Sequence, residues 1–294
     1  MDDPPTVAVV GTGRMGGAMV GTLRRAGFDV LAFNRNPAKA EAVAEATGAR
    51  VAASAAQAAA GAGVVIGSLT DDTVEDAYRG PQGIAAGLRP GAVVLETSTI
   101  DPRTARALGP PVAERGASLL DAPVSGSVPL VERGELTVMV GGDAAALERA
   151  RPVLDALAAN VFHVGELGAG ATVKLVVNAV LHGLNLALSE GLVLAEKAGV
   201  ARTAAYEVLA SSAVAAPFVH YKRAAFEHPE QTPVAFSLDL AAKDLDLALG
   251  LAGQAGATME QAATNRRVIG EAVAAGLGAA DLSALAVYLR GERG

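Results

Sequence analysis

Gly11, Gly13 and Gly16 stand as G-x-G-x-x-G in "VAVVGTGRMGG", directly after an apolar run and before a helical stretch that starts near Met15. Each glycine answers a separate need of a bound dinucleotide: a tight turn, close approach of the backbone to a pyrophosphate, and close helix-to-strand contact. The start of the helix offers free amide N–H groups and a positive dipole end to the anion, so Thr12, Arg14 and Met15 join the glycines as candidate contacts. A glycine-rich turn with no ligand is the other reading of the motif. The strand–turn–helix setting at the head of a βαβ unit favours the dinucleotide.

The second apolar run, "VLAF", ends at Asn34 and Arg35. An NAD-selective site usually has an acidic residue here to bind the ribose hydroxyls. A neutral Asn34 removes the repulsion against a 2′-phosphate, and the Arg35 guanidinium offers that phosphate a partner. NADP(H) is therefore expected in preference to NAD(H). The alternative is a solvated arginine ahead of the helix opened by "NPAK".

"DAPVSGS", residues 121–127, must turn between Pro123 and Gly126. There the backbone and hydroxyls of Ser125, Gly126 and Ser127 can cradle a carboxylate, although taken alone the stretch is simply a turn. Further on, Lys174 and Asn178 are four residues apart and share a helix face, with His182 one turn beyond. An isolated lysine at such a place is a solvated surface residue. Among Leu175, Val176, Val177, Ala179 and Val180, partial burial would lower its pKa and let it give and take a proton near neutral pH. His182 reads either as a pocket residue or as a core or surface histidine. The four histidines are scattered, with no His/Asp/Glu set at ligand spacing, so no metal is expected.

The elements that must position these groups come in two kinds. Up to about residue 165, apolar β-branched runs at "VAVV", "VLAF", "GVVIGSL", "AVVLETS", "ASLLDAPV" and "ELTVMVGG" alternate with helical stretches. That pattern predicts βαβ units in a parallel sheet covered on both faces. After "NVFHVG" the strand signals stop. A long helix is predicted from Ala169 to Ala198, ended by Gly199, then shorter helices separated by Pro217, "EHPEQTP", Gly256 and Gly276. The expected fold is an α/β Rossmann-type dinucleotide-binding domain over 1–165 and an all-α substrate and dimerisation domain over 166–294, joined by the long helix.

Composition narrows the class further. A length of 294 residues suits two domains, and a net charge of −7 argues against a nucleic-acid carrier. No cysteine is present, which removes disulfides, thiolate metal sites and a thiol nucleophile. The acidic, proline-bearing "MDDPPT" does not read as a leader. The apolar stretch 175–195 is broken by Asn178, His182, Asn185 and Glu190, which suits a buried helix rather than a membrane span. A soluble, cytoplasmic protein is expected. So long an apolar helix also needs more cover than a small domain supplies, which predicts a homodimer or a tetramer of dimers.

Taken together, "VAVVGTGRMGGAMVGTL", "TSTI", "DAPVSGSVPLVERGELTVMVGG", "GAGATVKLVVNAVL" and "FSLDLAAKDLDLAL" occur in the order and spacing of the β-hydroxyacid dehydrogenases. The chain resembles that family over nearly its whole length. The family includes 3-hydroxyisobutyrate dehydrogenase, tartronate semialdehyde reductase and the glyoxylate and succinic semialdehyde reductases. The resemblance implies that Lys174 is the catalytic lysine, that Asn178 helps hold the substrate, and that Ser125 and Gly126 bind its carboxylate. The next position, usually glycine in the family, is Ser127 here. It further implies that Thr99 lies near the nicotinamide, and that Lys243 contacts the cofactor with Phe236 at the usual spacing before it. By itself, Lys243 beside Asp244 and Asp246 reads as an ion-paired helix surface.

The implied activity is NADP(H)-dependent interconversion of a short 3-hydroxy acid and the matching semialdehyde or keto acid, with Lys174 as general acid and base. Two departures fall where selectivity would be set: Val177 replaces the first of two adjacent asparagines, and "GATMEQAA" replaces a proline-bearing segment. They leave open an imine reductase-like enzyme, against which Lys174 speaks. A non-catalytic cofactor-binding protein is the third reading, against which both the lysine and the carboxylate loop speak.

Overall fold

The computed structural model describes residues 5–291, apart from the side chains of Asp71 and Asp72. The reading of "MDDPPT" as no leader thus falls largely outside the described residues. The chain divides into two compact units, Met1–Lys174 and Leu175–Gly294.

In the first unit, the described residues form one nine-stranded sheet. Its strands are β1 (Val7–Val10), β2 (Val30–Phe33), β3 (Arg50–Val51), β4 (Val64–Gly67), β5 (Val93–Glu96), β6 (Ser118–Asp121), β7 (Val124–Ser125), β8 (Leu136–Gly141) and β9 (Ala158–Gly165). The order is β3-β2-β1-β4-β5-β6-β8-β7, with β9 also on β8. Strands β1 to β6 are mutually parallel, in unbroken register from Val7↔Val30 and Val7↔Val64 outward to Val93↔Ser118. Alternate residues serve opposite faces: Val7, Val9, Val30 and Ile66 pack into one apolar cluster, Ala8, Val10, Leu31 and Val65 into the other. Two covered faces explain why these strands read as continuous apolar runs.

The expectation of a wholly parallel sheet is corrected beyond β6. There β8 runs antiparallel to both β6 and β7, and only β9 returns parallel to β8. The connection explains the difference. Between β7 and β8 the chain makes only the short helix Val128–Glu132 and a turn at Gly134, whose φ is +70°; a parallel return needs a crossover of a dozen residues or more. The helix Ala144–Leu157 supplies such a crossover from β8 to β9.

Among its described residues the second unit forms helices, with an isolated bridge between Ser237 and Asp281. The long helix spans Ala169–Lys197, and Gly199 beyond it takes φ +88°. Pro217, expected to separate helices, instead opens the helix Pro217–Glu227 at its first position, where the missing N–H costs nothing. Leu238–Ala255 is capped by the Ser237 side chain and ended by Gly256 in the left-handed conformation. Helix Glu260–Ala272 continues into a π-helical turn, Val273–Leu277, in which Gly276 has φ +92°. Leu192, Tyr206, Phe226, Leu245 and Ile269 lie at the centre of the core.

By length and composition, the helix Ala169–Lys197 is the one helix among the described residues that could cross a membrane; 44% of its most apolar window is buried within the protein. Asn178, His182, Asn185 and Ser189 are all buried along it. The core helix of an α-helical domain meets the same length and hydropathy criteria.

Candidate functional site

The strand order reverses direction between β1 and β4, and in open α/β sheets ligands bind outside the carboxyl ends of the strands at such a point. Gly11 leaves β1 with φ +98°, and a Cβ there would overlap the Ser68 carbonyl oxygen just past β4. A Cβ at Gly16 would overlap the Gly11 carbonyl oxygen. These two glycines are required by the protein's own packing. Gly13 is different: its backbone is in an ordinary extended conformation, and a Cβ would meet nothing within 4 Å. Among the described residues nothing crowds that position, which leaves the loop open on the side from which a ligand could approach.

The helix that follows, Arg14–Arg25, has no side-chain cap and no acidic residue in its first turn. Its leading N–H groups thus remain available to an anion. Thr12 is buried, and its Oγ1 has no hydrogen-bond partner among the described residues. The open cradle at Gly13, the uncapped helix start and this orphaned hydroxyl fit a dinucleotide pyrophosphate.

Asn34 and Arg35 follow β2 on the same edge. The Asn34 amide donates to the Asn36 carbonyl at 3.1 Å, and the Asn36 side chain caps the helix Pro37–Thr47 by accepting from the Ala38 N–H. Arg35 is exposed.

The segment after β5 is tied to the end of β4. Thr97 Oγ1 donates to the Gly67 carbonyl at 2.6 Å, and the Leu69 N–H donates to Ser98 Oγ at 2.8 Å. Behind them Glu96 is buried, accepting from the Ser98 N–H at 2.8 Å and from the Tyr78 hydroxyl at 2.9 Å. Burial pushes the Glu96 carboxyl above the usual carboxylate range, against the lowering effect of the Ser98 and Tyr78 bonds. Thr99, the residue after Ser98, is half-buried. Sequence reasoning missed both Glu96 and Tyr78, because the two are 18 residues apart and only the sheet brings them together.

Beyond β6 the chain forms β7 at Val124–Ser125, turns at Gly126 with φ +143°, and enters the helix Val128–Glu132. Ser127 is the residue before that helix, and its hydroxyl makes no cap bond. The structure thus brings Gly11–Gly16, Asn34, Arg35 and Thr99 to the carboxyl edge of the parallel strands, with Ser125–Ser127 four to six residues past the end of β6. Lys174, half-buried, lies in the early turns of the long helix.

Asn178, Phe236 and Lys243 belong to the second unit. The Asn178 amide donates to Asp244 Oδ2 at 2.6 Å, and the other oxygen of Asp244 pairs with Lys243 Nζ at 2.8 Å. This corrects the reading of Lys243, Asp244 and Asp246 as one helix surface. Asp244 is 2% exposed, whereas Asp246 lies outside and pairs with Arg266. His182 is a core histidine, 1% exposed, with its ring 5.9 Å from that of Phe236.

Known proteins resemble the chain over nearly its whole length. Residues 6–165 match the family described as the NAD binding domain of 6-phosphogluconate dehydrogenase, and residues 168–289 the family described as NAD-binding of NADP-dependent 3-hydroxyisobutyrate dehydrogenase. The chain is 32% identical to 2-(hydroxymethyl)glutarate dehydrogenase of Eubacterium barkeri, over 97% of this chain and 95% of that one. It is 31% identical to the chloroplastic glyoxylate/succinic semialdehyde reductase 2 of Arabidopsis thaliana, over 99% and 82%. Among solved structures, that of Mycobacterium tuberculosis 3-hydroxyisobutyrate dehydrogenase with L-serine is 34% identical, with a TM-score of 0.84 over 97% of this chain and 99% of that one.

Fold and cradle together define an oxidoreductase that uses a nicotinamide dinucleotide. The chain belongs to the β-hydroxyacid dehydrogenase family, whose relatives here are dehydrogenases and reductases of the 3-hydroxyisobutyrate dehydrogenase type.

Proposed function

We propose that this enzyme interconverts a short 3-hydroxy acid and its semialdehyde or keto acid, with NADP(H) preferred. The carrying observation is the bond between the head of the lysine helix and the end of β6: Gly168 and Ala171 donate to Asp121, the first residue of the segment that holds Ser125–Ser127. A proton donor and a carboxylate cradle thereby belong to one local framework.

The cofactor, when bound, supplies or accepts the hydride. The loop Gly11–Gly16 holds its pyrophosphate, Thr99, Phe236 and Lys243 contact it, and Asn34 with Arg35 favours the 2′-phosphate. Ser125, Gly126 and Ser127 hold the substrate carboxylate through N–H and hydroxyl groups, fixing the orientation of the reacting carbon. Lys174 gives a proton to the substrate oxygen as the carbonyl is reduced and takes it back in oxidation. Asn178 orients the substrate. No metal enters this scheme, and among the described residues no cluster of three potential metal ligands occurs.

A second copy of the chain is the proposed cover for the long helix. Val176, Val180 and Leu194 are 54%, 70% and 71% exposed and recur along it with Ala187 at helical spacing. A dimer in sedimentation velocity supports this reading; a monomer at working concentration refutes it.

The test of function is oxidation of NADPH and of NADH with glyoxylate, succinic, methylmalonic and tartronic semialdehydes and one cyclic imine. Wild type, Lys174→Ala and Arg35→Ala are compared. Turnover of a carboxylate-bearing aldehyde that collapses in Lys174→Ala supports the reading, as does an NADPH KM raised about tenfold in Arg35→Ala, equivalent to roughly 1.4 kcal/mol. Reduction of the imine alone, or full activity in Lys174→Ala, overturns it.

A further inference from the structure

Asp121 ends β6 and is 1% exposed. Its Oδ1 accepts from the Gly168 N–H at 2.8 Å and its Oδ2 from the Ala171 N–H at 2.7 Å. These donors sit at the head of the helix Ala169–Lys197, where leading N–H groups lack intrahelical acceptors. A cap usually comes from the residue just before the helix. Here that residue is Gly168, which has no side chain, and the cap comes instead from 47 residues upstream.

Two glycines make room for it. A Cβ at Gly141 would overlap Asp121 Oδ1. One at Gly170 would lie 2.5 Å from the Asp121 carbonyl oxygen and 3.0 Å from Oδ2, besides overlapping the Met139 carbonyl. The helix head is thus pressed onto the ends of β6 and β8 and locked there by the carboxylate. A local serine or threonine cap would satisfy the same N–H groups while leaving the helix free to move against the sheet.

We infer that Asp121 is a positioning residue for the reaction: it sets Lys174 in place relative to Ser125–Ser127. Ser125 lies four residues after Asp121 along the chain, and Lys174 three residues after Ala171, on the same helix side as the bonded N–H. The two halves of the proposed chemistry are held from a single strand end. This inference rests on the proposed roles of Lys174 and Ser125–Ser127. Burial pushes the Asp121 carboxyl up, against the N–H groups of Ala171 and Gly168 and the charge of Arg106, and the net shift is upward.

Asp121→Asn tests it with little change in shape, turning an amide N–H₂ toward one of the two backbone donors. Three readouts are taken on the full-length enzyme: kcat and KM with the best aldehyde, NADPH affinity by fluorescence, and amide hydrogen exchange of residues 168–175. The expected result is a kcat lowered at least tenfold, NADPH affinity within twofold, and exchange faster by tenfold or more at 168–175 but unchanged over 6–36. Gly170→Ala, which moves the helix head off the carboxylate while keeping the charge, is expected to lower kcat in the same way and serves if Asp121→Asn fails to fold. Unchanged kcat in both variants overturns the inference. So does a loss of NADPH binding and of protection throughout the first unit, which would make Asp121 a general structural residue. Failure of the underlying reading shows separately, as wild type inactive on every aldehyde or Lys174→Ala fully active, while exchange at 168–175 still reports whether Asp121 fixes the helix head.

Discussion

The Asn178 amide donates to Asp244 Oδ2 at 2.6 Å, joining two helices through side chains that are 4% and 2% exposed. Asp244 also pairs with Lys243, so a residue proposed to orient substrate and one proposed to contact the cofactor share a buried carboxylate.

Removing the amide leaves that carboxylate short of a donor. Asn178→Ala is expected to cost about 1–3 kcal/mol in urea unfolding. Asn178→Asp sets a second buried carboxylate against the first, so one of the pair must hold a proton and its pKa rises in the folded state. Stability of that variant therefore falls as pH rises from about 5 to 8 and recovers on acidification. A flat pH dependence would show that the pair is not buried as described.

Gly13 and Gly16 separate the needs of the ligand from those of the fold. Gly13→Ala adds a methyl group that meets nothing within 4 Å among the described residues, so the melting temperature stays close to wild type while NADPH affinity drops by about tenfold or more, roughly 1.4 kcal/mol. Gly16→Ala drives its Cβ into the Gly11 carbonyl and is expected to lower the melting temperature first. Thermal melts beside NADPH titrations decide the matter: equal behaviour of the two variants contradicts the distinction.

Lys222 and Asp281 form a buried ion pair, with Nζ at 2.7 and 2.6 Å from the two carboxylate oxygens. Asp281 also accepts from the N–H groups of Ala235, Phe236 and Ser283, fixing the approach to the helix Leu238–Ala255. Burial alone would raise the Asp281 carboxyl, but the Lys222 bond and charge with the backbone donors outweigh it and hold it below the usual range. Its contribution is therefore full above the unfolded pKa of about 3.9 and is lost as pH falls through the lower folded value. Lys222→Met strands the carboxylate and is expected to cost roughly 3–5 kcal/mol at pH 7. The double variant Lys222→Met/Asp281→Asn should recover part of that loss and lack this component of acid destabilisation. Denaturant melts from pH 7 down to 3 measure both effects.

The strands β1, β2, β4, β5 and β6 were legible as apolar runs because each is buried on two faces, and the glycine loop because three glycines between a strand and a helix constrain the chain over only six residues. β3 was not legible: it is two residues long and exposed. Nor was the antiparallel turn of β7 and β8, since strand composition carries no sign of direction. Lys222 in "HYKRAAF" gives no sign of burial, because its partner lies 59 residues away.

By itself the sequence determined what acts over a few residues: the cofactor loop, the helix ends at Gly199 and Gly256, the alternation of strand and helix, and the face shared by Lys174 and Asn178. Only the tertiary structure decided which acids are buried and what they hold. Asp121, Glu96, Asp244 and Asp281 look alike in the chain as solvated carboxylates, yet each is enclosed and bonded to groups from distant segments. Burial and direction are properties of the packed chain, set by neighbours tens of residues away, and no local pattern encodes them.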